Sequence, residues 1–62
     1  MKISSDEVVR LIRADGWYPV GQRGSHCQFK HPQKKGRVTI PMGYKDLPIG
    51  TRNAILNQAG LK

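Results

Sequence analysis

Acid, sulfur and aromatic rings are all scarce in this chain. A single cysteine among 62 residues excludes an intrachain disulfide, and no cluster of side chains offers four ligands at zinc-site spacing. Cys27 is therefore expected as a small buried hydrophobe. The four acidic residues are scattered, with Asp6, Glu7 and Asp15 in the first predicted helix and Asp46 in a later loop. A two-metal nuclease needs carboxylates that converge on Mg²⁺, so the sequence argues against metal-dependent cleavage, and neither a metal nor a cofactor is expected. Long apolar runs are missing too. Asp6, Glu7 and Arg10 interrupt the N-terminal stretch, so no signal peptide and no membrane span are expected. A reduced, cytoplasmic setting is the resulting expectation.

Positive charge is what remains in excess. Eleven Lys and Arg against four Asp and Glu give a formal net charge of +7 and a pI near 10.2. That balance favours a polyanionic partner, either nucleic acid or an acidic protein. A chain this short buries only about 60% of its unfolded surface on folding, so one small domain over residues 1–62 is expected, with stability that a partner would raise.

The order of elements is legible from punctuation and periodicity. Ser4 and Glu7 form a capping box, and Ile3 is placed to staple onto Val8. Val8, Leu11 and Ile12 read as the buried stripe of a helix over about Ser5 to Asp15, with Gly16 as its stop and Trp17 packing back into the core. Trp17 to Arg23 reads as an edge or irregular strand, because Pro19 cannot donate to a central ladder. Gly24–Ser25 turns the chain into a second strand ending at Lys30. Pro32 to Gly36 forms a basic turn, and Arg37 to Ile40 a third strand. After a loop from Pro41 to Leu47, a helix starts near Pro48, buries Ile55, Leu56 and Ala59, and stops at Gly60. The expected fold is α+β, helix–strand–strand–strand–helix, with both helices on one face of a three-stranded antiparallel sheet.

Side chains alternate across a strand. Cys27 and Phe29 are apolar and must face the core with Val38 and Ile40. His26, Gln28 and Lys30 then share the open face with Arg37 and Thr39. An exposed imidazole on a basic sheet is the group RNA cleavage at neutral pH needs, because it titrates near the working pH. Lys30 and Arg37 are placed to offset charge developing on a phosphate. His31 lies an odd number of residues from His26, so a regular strand turns it to the other face, where packing or capping the turn is its expected role.

Gly16–Trp17, Arg23–Gly24–Ser25–His26, Phe29, His31–Pro32, Val38–Thr39–Ile40–Pro41, Gly50–Thr51, Ile55–Leu56 and Gln58–Ala59–Gly60–Leu61 occur here in an order and spacing that resemble the HicA toxins of bacterial toxin–antitoxin pairs. The resemblance spans nearly the whole chain. It implies a fold like that of double-stranded-RNA-binding domains and a metal-independent endoribonuclease that cleaves mRNA and so inhibits translation and growth. It also implies a HicB antitoxin as partner, expected to be acidic and to cover the active site, with His26 of the Gly-Ser-His motif as the catalytic residue. This chain departs from many members after the third-strand proline, where Met42–Gly43 replaces a histidine or basic residue. The residues expected to hold RNA are Arg23, Gly24, Ser25, Lys30, Lys34, Lys35 and Arg37. The competing reading is a non-catalytic RNA-binding module of the same fold, recognising shape and phosphates.

Overall fold

In the computed structural model, which describes residues 2–62, the chain runs α1 (Ser5–Ala14), β1 (Tyr18–Arg23), β2 (His26–Lys30), β3 (Val38–Pro41) and α2 (Ile49–Gln58). The strands form one antiparallel sheet in the order β1-β2-β3, as the alternation and turn signals predict. Val8, Ile12, Trp17, Phe29, Val38, Ile40, Leu47, Ile55 and Ala59 make a single core between the helices and the sheet.

Each helix is ended by the same device. Gly16 (φ +113°) and Gly60 (φ +77°) adopt the left-handed conformation. The Trp17 N–H then donates to the Ile12 carbonyl and the Leu61 N–H to the Leu56 carbonyl, the long backbone bond of a Schellman cap. At the start of α1 the Ser4 hydroxyl accepts from the Glu7 N–H at 3.2 Å, the near half of the expected capping box.

Two burial expectations are corrected, at Leu11 and Cys27. Leu11 is not in the buried stripe: it is 48% exposed, whereas Val8 and Ile12 are fully buried. The third member of the stripe is Ser5, whose hydroxyl donates to the Pro41 carbonyl (2.6 Å) and accepts from the Tyr44 N–H (3.1 Å). Anchoring Ser5 inward centres the buried arc on Ser5, Val8 and Ile12 and leaves Leu11 roughly 90° away at 100° per residue. Leu47 lies in the loop as expected, and it is in addition a core residue, held where its N–H donates to the Ile3 carbonyl at 2.8 Å. Cys27 is only half-buried. The helices pack on β3, and β1 is exposed along its length, so the inner face thins toward the edge where Cys27 pairs with Gln22.

Candidate nucleic-acid interface

The turn at Gly24–Ser25 places His26. Gly24 has φ +56° and nothing else in the turn departs from negative φ, which is the II′ pattern that joins right-twisted strands in two residues. His26 therefore starts β2 directly opposite Arg23 on one side and Pro41 on the other. The Met42 N–H donates to the Ser25 carbonyl at 2.6 Å, locking the end of β3 against the hairpin turn. His26 is exposed, on the face the alternation predicts.

The ladder builds rows across that face. Arg23, His26 and Pro41 form one row, and Gly21, Gln28 and Thr39 the next. Tyr18 pairs with Lys30 beyond them. The Arg37 guanidinium reaches back along the sheet and donates to the Gln28 side-chain oxygen at 2.9 Å. Arg23, His26, Lys30 and Arg37 thus stand together on one uncovered surface. Gly24 and Ser25 contribute the turn beside it, and both are exposed. Lys35 is exposed in the β2–β3 turn.

Lys34 is separated from this group. Its ammonium donates to the Asp15 carboxylate at 2.5 Å and to the Ala59 carbonyl at 3.0 Å, joining the ends of both helices. A cation against the last carbonyls of a helix is favourable, and α2 has no basic residue of its own in its last turn. The hydrogen bond and charge of Lys34 hold the Asp15 carboxyl below the usual carboxylate range despite partial desolvation.

His31 lies on the same side as Lys34, behind the sheet. Its Nδ1 accepts from the Gln33 and Lys34 N–H groups at 3.0 and 3.1 Å, which leaves Nε2 as the donor to the Asp15 carbonyl at 2.7 Å; the tautomer follows from this network. The ring meets Trp17 edge-on at 5.3 Å. It also occupies the space over Gly16, where a Cβ would come within 2.7 Å of Nε2, so Gly16 is required for close approach as well as for its φ.

A sequence profile described as the HicA toxin of bacterial toxin–antitoxin matches residues 5–61. The chain belongs to the HicA toxin family. A chain in a solved structure described as "Toxin-Antitoxin complex from Streptococcus pneumoniae" is similar in fold and sequence, with a TM-score of 0.79 and 32% identity over 94% of this chain and 97% of that one. No curated protein matches. This HicA chain is accordingly a toxin of the toxin–antitoxin class.

What sequence reading missed in this HicA chain is the face on which β1 carries Tyr18. Tyr18 and Arg23 are an odd number of residues apart, so a regular strand would put them on opposite faces. The ladder slips by one residue between Pro19 and Gly21, and this bulge brings both onto the open face with His26 and Lys30. Pro19 and Gly21 on either side of Val20 were the available signal, since both residue types mark bulges.

Proposed function

We propose that this toxin is a metal-independent endoribonuclease of mRNA in which His26 is the general base. The observation that carries the reading is the row Arg23–His26 on an exposed basic face. In the reaction, His26 takes the proton of a ribose 2′-hydroxyl, and the 2′-oxygen attacks the adjacent phosphorus. The P–O5′ bond breaks, leaving a 2′,3′-cyclic phosphate, and the 5′-oxygen takes a proton from the imidazolium or from water. Arg23, directly opposite His26 in the ladder, is placed to offset the phosphate charge, and Lys30 and Arg37 carry the cationic surface farther along the same face. Lys35 and the Gly24–Ser25 backbone extend the surface offered to RNA. The placement of the carboxylates supports chemistry without a metal: Asp6 and Glu7 lie in the first turn of α1 and Asp15 in the clamp with Lys34.

Its neutralising partner is proposed to be a HicB-type antitoxin, acidic and seated over the His26 face. Such a partner would exclude RNA and raise the stability of a small fold by mass action. Its association should slow as salt is raised.

The test is incubation of the purified protein with a long RNA in EDTA, beside His26→Ala. Cleavage by the parent alone supports the reading. Cleavage that EDTA abolishes, or that survives in His26→Ala, overturns it. RNA binding by both proteins with no product would favour the non-catalytic binding module.

A further inference from the structure

The open face has a second feature that cleavage chemistry does not use. Tyr18 stands on it, 45% exposed, paired with Lys30 across the β1–β2 ribbon. Lys30 lies four steps along β2 from His26, roughly 13 Å at 3.3 Å per residue. Between the two rows β1 carries Gly21, opposite Gln28. Gly21 has nothing within 4 Å of where a Cβ would sit and no positive φ, so its lack of a side chain is not demanded by the fold. The ribbon thus has no side chain on β1 at its middle, where Gly21 faces Gln28, is cationic at Arg23, Lys30 and Arg37, and is aromatic at the end away from His26.

We propose that this ribbon is a lane for single-stranded RNA, in which Tyr18 stacks on a base while the phosphate to be cut lies at His26. A phenol ring on a cationic groove is the arrangement that holds single strands, because every base offers a π-face and the groove follows the backbone. Bases inside a duplex are stacked on one another and have no free face for Tyr18. Lys30 beside the ring takes the phosphate of the stacked nucleotide, and Gly21 lets the RNA run along β1 without meeting a side chain at that position. The substrate is therefore an unpaired stretch of RNA rather than a double helix. The assignment rests on the proposed cleavage at His26 for the position of the scissile phosphate.

Binding measured in the His26→Ala background separates the two ideas, with a short fluorescein-labelled RNA of mixed sequence, alone and annealed to its complement. Expected is tighter binding of the single strand than of the duplex. Tyr18→Ala should weaken single-strand binding five- to hundredfold, the change that loss of one base–aromatic stack gives, and Tyr18→Phe should restore it. Gly21→Val, which meets no neighbour in the fold, should weaken binding by filling the lane. Equal affinity for single strand and duplex, or unchanged binding in Tyr18→Ala, overturns the inference whether or not His26 cuts. If His26→Ala still cleaves, the proposed catalytic role fails while the Tyr18 binding result stands on its own.

Discussion

The two histidines of this toxin sit five residues apart and live in opposite conditions. His26 begins a strand on the uncovered face, exposed, across from Arg23. His31, just past the end of the same strand, has a side chain only 6% exposed, and its two nitrogens are committed to the Asp15 carbonyl and two backbone N–H groups. The strand's alternation sends them to opposite sides. A ring that gives and takes protons with a substrate must have nitrogens to spare, and His31 has none. One histidine is free for chemistry because its neighbours do not need it, and the other is unavailable because the fold does.

Replacing each ring in turn tests this division directly. His26→Ala is expected to reduce cleavage by about 10²- to 10⁴-fold, the usual worth of general acid–base catalysis, while urea unfolding stays within about 0.5 kcal/mol of the parent, as for other surface changes. His31→Ala should do the reverse. Removing a buried ring and leaving three backbone groups without their partner costs about 2–3 kcal/mol, which lowers Tm by on the order of 10 °C or more in a domain this small. Cleavage per folded molecule, measured well below the new midpoint, should be retained. A stable, folded His31→Ala protein that no longer cuts would place His31 in the reaction and end the division of labour.

The contrast was legible in advance only as parity. Alternation along Ser25–Lys30 and the apolar pair Cys27 and Phe29 set the faces of β2, and glycine positions set the ends of both helices. What could not be read were features that depend on the third dimension. The buried Ser5 is polar and looks like a first-turn helix residue until its two hydrogen bonds to the β3–α2 segment are seen. Lys34 looks like every other lysine in a basic turn, and only the fold brings Asp15 and Ala59 to it. The β1 bulge reverses the parity of Tyr18 relative to Arg23, so the aromatic end of the open face was hidden by one inserted residue.

Lys34 and Lys35 divide in the same way within a single turn. Lys35 is exposed and is expected to contact RNA phosphate. Lys35→Ala should therefore reduce the slope of log K against log salt by about 0.7–1, the share of one phosphate contact. Lys34→Ala should leave that slope nearly unchanged and lower stability instead, by at most about 1 kcal/mol, since its side chain is partly solvated at 37% exposure. Equal salt slopes lost in both variants would show that the Lys34 ammonium leaves its clamp to meet RNA.

The smallest effect lies in the acid limb of stability and comes from Asp15. Lys34 holds this carboxyl below the usual carboxylate range by its hydrogen bond first and its charge second, with partial desolvation opposing. A carboxyl whose pKa is lower in the folded protein releases its proton more readily there than in the unfolded chain. Its contribution is therefore fully present above the unfolded value, about 3.9, and disappears as pH falls through the lower folded one. Urea unfolding between neutral pH and the acid limb should show the parent more stable than Asp15→Asn at neutral pH and the two converging below about pH 4. The His26 face should not share in this, because its basic groups do not contact Asp15. Parallel stability curves at all pH values would mean that the Lys34–Asp15 contact adds nothing to the clamp, leaving the Lys34 bond to the Ala59 carbonyl and the His31 bonds to hold the helix ends behind the sheet.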